Sequence, residues 1–227
     1  MRTFAKQLLM AAGLVAVAGQ ADAATYNNHL LVGFSDGLHA DFIYDLGASS
    51  TALTGAQSWN LSSYLGDFTL GSVSWGVIGS ANQSGSRTSW STVGIGLTPN
   101  TIPNTSAWGK INTANSSIYS GFATDGDGSF ATPSAQDANS WNQQTINGAS
   151  FTAYHNVYGD PNVQGTIGAD FFSAVGNGSD PELLGTFTLS SGGSLSFSVI
   201  PEPSTCSLLT GLGFGLALLR RRSAGKA

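Results

Sequence analysis

Charge is scarce in this chain, and positive charge scarcest of all. Lys and Arg number 8 and Asp and Glu 13 among 227 residues, so only 9% of the chain is charged. Between Ala24 and Ile200 eleven carboxylates stand against two cations, Arg87 and Lys110, a balance of −9. Without a cationic surface to neutralise phosphates, this stretch is excluded as a nucleic-acid binder. Cysteine is almost missing as well. The single Cys206 forbids an intramolecular disulfide and any zinc site built on several thiolates. No internal repeat is visible, and 177 residues from Ala24 to Ile200 suffice for one core without disulfides.

Ser, Thr, Asn and Gly are plentiful, a composition typical of secreted β-proteins. The dominant hydrophobic period is two: Leu30, Val32 and Phe34 alternate, as do Phe42, Tyr44 and Leu46, then Val73, Trp75 and Val77, and finally Leu195, Phe197 and Val199. Such segments read as half-buried strands, dry on one face and wet on the other. Further strands are expected at Trp90 to Ile95, Phe151 to Tyr158, Thr166 to Phe172 and Leu183 to Leu189. Turn signals at Asn147-Gly148, Gly159-Asp160-Pro161 and Gly192-Gly193 separate them. The expected fold is all-β, an antiparallel, jelly-roll-like β-sandwich. The less regular stretch from Pro99 to Gln144 reads as an insertion over one sheet, tacked down by Trp108 and Trp141, with a short helix over Pro133 to Gln144.

Candidate chemistry is sparse. Gly33-Phe34-Ser35-Asp36-Gly37 matches the G-x-S-x-G nucleophile elbow, with His39 and His155 as conceivable bases. An elbow needs a helix after the serine, whereas Ala40 to Leu46 alternates as a strand, so Ser35 to His39 reads as a hairpin turn. Asp41 and Asp45 share one strand face but lie roughly 13 Å apart, too far for a glycosidase pair at roughly 5 to 9.5 Å. Both read as solvated charges that discourage edge-to-edge pairing. Glu182 could join a distant aspartate only through tertiary structure. Asp125-Gly126-Asp127-Gly128-Ser129 begins a calcium-loop pattern, but the twelfth position is Gln136 where an EF-hand has Glu, and an ordinary Gly/Asp turn is the plainer reading. His29, His39 and His155 lack metal-ligand spacing. Tryptophans 59, 75, 90, 108 and 141 read as core or staple residues, the alternative being exposed rings that stack on sugars. No cofactor is implied.

The two ends are the most legible parts. Arg2 and Lys6, the apolar run Leu8 to Ala18 and the small residues Ala21-Asp22-Ala23 form a signal helix with a signal-peptidase site, giving a mature start at Ala24. At the other end Pro201-Glu202-Pro203 precedes an uncharged run, Cys206 to Leu219, and the cluster Arg220-Arg221-Arg222. As a helix those 14 residues reach roughly 21 Å, short of a hydrocarbon core of roughly 30 Å. That length suits a transient membrane helix, with the arginines snorkelling and held on the cytoplasmic side. The prolines keep Glu202 in an extended segment that a protease can reach. Three parts follow: residues 1–23 as signal peptide, 24–199 as passenger domain and 200–227 as sorting signal.

This combination of ends resembles the PEP-CTERM proteins, presumed substrates of the membrane enzyme exosortase. The resemblance implies cutting at or near Pro201, Glu202 and Pro203 by exosortase, a transient partner. It also implies passage of the passenger from the inner membrane to the cell surface or an extracellular polysaccharide matrix. His29 to Phe34, Tyr44 to Gly47, Ser74 to Val77 and Leu184 to Leu189 are similar to segments of a recurrent passenger type in that family, which implies no activity. A non-enzymatic matrix protein is the expected function. A carbohydrate-binding module is the alternative, and a secreted hydrolase a third reading.

Overall fold

Alternation becomes strand wherever the structure describes the segments that carry it. In chain order the elements are β1 (His29–Ser35), β2 (Phe42–Ala48), α1 (Ser49–Ala52), β3 (Gln57–Asn60), β4 (Ser74–Gln83), β5 (Ser86–Gly94) and α2 (Thr105–Tyr119). Then come β6 (Phe130–Ala131), a π-helical turn (Asn142–Ile146), β7 (Val163–Gln164), β8 (Gly168–Val175), β9 (Glu182–Leu189) and β10 (Ser194–Val199). The computed structural model describes residues 28–83, 86–99, 105–123, 126–147, 159–175 and 180–200. The signal-peptidase residues Ala21 and Ala23, the motif Pro201 to Pro203, the apolar tail with Arg220 to Arg222, and the expected strand Phe151 to Tyr158 lie outside the described residues. Among the described residues no helix is long and apolar enough to cross a membrane.

The strands are antiparallel and hydrogen-bonded into one ten-stranded sheet in the order β3-β10-β9-β8-β5-β4-β1-β2-β6, with β7 pairing β4 off that path. The sheet curls into a half-barrel. Two separate sheets are therefore not seen among the described residues. Leu30, Val32 and Phe34 of β1, Trp75 and Val77 of β4, Phe171 of β8, Phe187 of β9 and Phe197 of β10 meet in one inner core. Strands near opposite ends of the sheet thus share a cluster, as curling requires. The segment between β3 and β4 adds Leu61, Leu65, Phe68 and Val73 to the same core. Each large side chain so buried contributes roughly 1.5 to 3 kcal/mol of transfer free energy.

The outer face is not wet at the centre of the sheet, and here the half-buried reading is corrected. Six successive residues of β1, Leu30 to Ser35, are buried, and β2 is nearly so. Leu31, Ile43 and Ile78 point away from the inner core into a second cluster with Ile111, Ala114, Ile118, Tyr119 and Trp141. The irregular segment expected over one sheet is the cover that dries this face. Its main element, α2, escaped the sequence reading because Ser, Thr and Asn recur along its helix, among them the exposed Thr113 and Ser116 and the buried Asn115, residue types that favour turns over helix interiors. Ile111, Ala114 and Ile118 keep the three-to-four spacing of one buried stripe. The helix expected over Pro133 to Gln144 is instead a run of turns ending in the π-helical turn. At the far end of the sheet the half-buried reading holds, since β10 buries Leu195 and Phe197 between partly exposed serines.

Candidate functional site

Phe34 pairs with Phe42 across a β1–β2 hairpin, so Asp36 to His39 is the connecting turn and no helix follows Ser35. Gly37 takes φ +74, a left-handed value that glycine adopts without a Cβ clash. Asp36 caps the turn. Its Oδ1 accepts from the N–H groups of Leu38 and His39, each at 2.9 Å, and its Oδ2 lies 2.6 Å from His39 Nδ1. Partial burial works to raise the Asp36 carboxyl, yet the His39 N–H, the imidazole and the Leu38 N–H together hold it at about 2. The hydrogen bond from Asp36 in turn raises the exposed His39 above the usual imidazole range. Ser35 is fully buried, its Oγ accepting from Gly37 N–H at 3.1 Å. His39 is thus engaged with Asp36, and His155 lies outside the described residues.

Asp41 and Asp45 are both fully buried, which overturns their reading as solvated charges. They flank Ile43 on the outer face of the sheet, under the cover, and each holds a different part of that cover. Asp41 Oδ2 accepts the Asn142 N–H at 2.6 Å, fastening the π-helical turn, while its Oδ1 has no hydrogen-bond partner among the described residues. Burial pushes the Asp41 carboxyl up to about 6 against the opposing Asn142 N–H and Ser35 hydroxyl. Glu182, the one glutamate of the passenger, is exposed at the start of β9, remote from β2 in the strand order.

Asp45 organises a second polar group, drawn from three elements. A bulge at Leu30/Leu31 sets Leu31 opposite Asp45 and Leu30 opposite Gly47, and Gly47 adopts φ +98. The Gly47 N–H then donates to Asp45 Oδ1 at 2.8 Å. His29 Nδ1 lies 2.9 Å from Oδ1 and 2.8 Å from Oδ2, and the Tyr119 hydroxyl of α2 donates to Oδ2 at 3.0 Å. The Tyr119 ring meets the imidazole edge-on at 6.2 Å. Backbone bonds from Asp45 N–H to Ser129 O and from Gly128 N–H to Asp45 O pin the loop after Gly126 beside this group. That loop brings Asp127 Oδ1 to 3.7 Å from the same His29 nitrogen, with the Asp127 side chain 69% exposed. Burial raises the Asp45 carboxyl, opposed by the Gly47 N–H, His29 and Tyr119.

No protein-family model matches the chain, and no curated protein or solved structure does. Of the calcium pair Asp125 and Asp127, the first lies outside the described residues, and the second faces His29 and Asp45. The sequence reading missed this convergence because the histidine and Asp45 are 16 residues apart, and Asp127 arrives from the far end of the insertion. Among the tryptophans, 75, 90 and 141 are buried, Trp59 packs half-buried against the inner core, and the side chain of Trp108 lies outside the described residues. Exposed aromatic surface occurs instead at Tyr64 (41%) and Phe130 (46%), whose rings meet at 5.0 Å beside Phe42. Sequence periodicity carries no signal for that corner, since Tyr64 sits in a loop and β6 is two residues long.

Proposed function

We propose that the chain is an exported, non-enzymatic surface or extracellular-matrix protein, sorted through its tail by exosortase after signal peptidase removes residues 1–23. One observation carries the reading: an export signal ending at Ala21-Asp22-Ala23 is paired with Pro201-Glu202-Pro203, a short apolar run and Arg220-Arg221-Arg222. The passenger needs no disulfide to fold, since it has an apolar core on each side of one sheet. The jelly-roll-like sandwich is kept as the reading of the fold, supported by residues of β1, β4, β8, β9 and β10 that share one inner core. The last described strand, β10, ends at Val199, so the motif follows directly on folded structure. A protease acting there would release an intact domain.

Replacing Glu202 by alanine, or deleting Arg220 to Arg222, is expected to leave unprocessed precursor in the inner membrane. Intact mass and fractionation in the native host provide the measurement. The wild type should begin near Ala24, end between Pro201 and Pro203, and lie outside the cytoplasm. Unchanged processing in both variants would remove the exosortase reading.

A second reading, a module that binds extracellular polysaccharide, draws on the Tyr64–Phe130 corner, where two exposed rings border Tyr44 and Phe42. Stacking of a sugar on one such ring is worth on the order of 1 kcal/mol. Tyr64→Ala is then expected to weaken retention on the host's own polysaccharide several-fold in affinity electrophoresis, with the fold unchanged. Equal retention of the variant and wild type would leave the corner without a binding role.

A further inference from the structure

We propose that His29, Asp45 and Asp127 form a binding site for a borderline divalent cation of the zinc type. Each residue offers one donor atom, and the three donors lie within 4.8 Å of one another. Two of the separations are 2.8 Å and 3.7 Å, both from His29 Nδ1. Around a four-coordinate ion with bonds near 2.0 to 2.1 Å, donor atoms stand roughly 3.3 Å apart. The third separation, between the two carboxylates, is at most 4.8 Å, so closing to that arrangement takes side-chain shifts of up to about 1.5 Å, which the exposed Asp127 is free to supply. The exposed Asp127 side chain leaves a solvent-facing position for water as a fourth ligand.

Charge argues the same way. Two carboxylates, one of them fully buried, converge on one imidazole, and among the described residues no Lys or Arg forms an ion pair with either. A doubly charged cation neutralises both carboxylates and takes the place of the proton that His29 Nδ1 shares with Asp45, which leaves to solvent. Asp45 Oδ1 would keep its bond from the Gly47 N–H, and the Tyr119 hydroxyl would become the outer partner of the ligating oxygen. An imidazole with two carboxylates suits zinc. Calcium, which takes six to eight oxygen ligands, finds too few here. Asp45 is set by the hairpin and its bulge, and Asp127 by the pinned loop, so most of the site is preformed. A cation there would also clamp the outer cover to the sheet, because its ligands come from β1, β2 and the loop that follows α2.

The test uses the full-length protein purified without a histidine tag, equilibrated with zinc chloride, passed through gel filtration and analysed for bound metal. The wild type is expected to retain about one equivalent of zinc and to melt at a temperature that rises with zinc concentration. Asp127→Asn, at an exposed position, and His29→Gln are each expected to weaken zinc binding at least about tenfold. His39→Gln should leave it unchanged, which separates this site from the Asp36–His39 pair. Circular dichroism in EDTA establishes that each variant is folded. The proposal is overturned if the wild type retains no zinc, if folded Asp127→Asn and His29→Gln bind as the wild type does, or if calcium displaces zinc at equal concentration.

Discussion

Trp141→Ala is expected to lower the unfolding free energy by about 4 kcal/mol, the scale of deleting a fully buried large aromatic side chain. Trp141 has no exposed surface and belongs to the outer core with Leu31, Ile43 and Ile118. Its indole N–H donates to Asn162 Oδ1 at 2.8 Å, tying the cover to the segment that enters β7. The ring lies flat against Gly33, where a Cβ would fall 1.9 Å from Trp141 Cδ2. Gly33→Ala alone should therefore cost about 1 to 3 kcal/mol through overpacking. In the Trp141→Ala background the same change should cost nothing, or gain about 0.5 kcal/mol, because alanine suits a strand better than glycine and the obstructing ring is gone. Urea unfolding of the two single variants and the double variant measures this coupling. Additive effects to within about 0.5 kcal/mol would show that the two residues do not meet.

The hairpin that creates this contact was legible in the sequence, and the cover was only partly so. Alternation placed β1, β2, β4, β8, β9 and β10 because each buries at least one face in the inner core, and a period of two is all that burial needs. Trp141 was rightly expected to tack the insertion down, since a large aromatic in a polar stretch has few reasons to be there. What alternation could not show was that β1 and β2 are dry on the other face too. Gly33 in β1 and Asp41 and Asp45 around β2 read as wet positions, yet they receive a ring, a backbone N–H and a tyrosine hydroxyl from elements more than 70 residues away. Long-range partners turn a polar residue into a buried one without changing its local pattern.

The candidate cation site illustrates the same limit more closely. A hairpin turning at Asp36 to His39 puts Leu31 opposite Asp45, and His29, two residues before Leu31 on the same face, becomes a diagonal neighbour within reach of a long side chain. That much follows once the hairpin is accepted. The bulge that turns the Gly47 N–H onto Asp45, and the loop that delivers Asp127, have no comparable local signature. The calcium-like spacing of Asp125 and Asp127 drew attention to the right loop, while the partners of Asp127 came from across the fold.

Asp41 supplies the second large effect, a dependence of stability on pH between about 4 and 6. Its carboxyl ionises near 3.8 in an ordinary setting and at about 6 in the folded protein, because burial penalises the charge more than the Asn142 N–H and Ser35 hydroxyl relieve it. Within that window the folded state holds a proton that the unfolded state has released, so stability falls as pH rises. A rise of this size corresponds to about 3 kcal/mol lost above the window, at about 1.4 kcal/mol for each tenfold change in acidity. Ionised Asp36 adds to the effect by repelling a charge on Asp41. Asp36 itself has the opposite sign and a different window: its carboxyl sits at about 2, so its own stabilising contribution is lost only as pH falls below about 4. Asp41→Asn keeps an oxygen to accept the Asn142 N–H and carries no charge at any pH. The variant should match the wild type near pH 4 and exceed its stability by up to about 3 kcal/mol near pH 7. Asp45 is present in both proteins, so the difference between their stability profiles isolates Asp41. Thermal unfolding of both proteins in EDTA across that range provides the measurement, and a difference that stays flat, or that favours the wild type at neutral pH, would show that Asp41 is ionised without penalty beneath the cover.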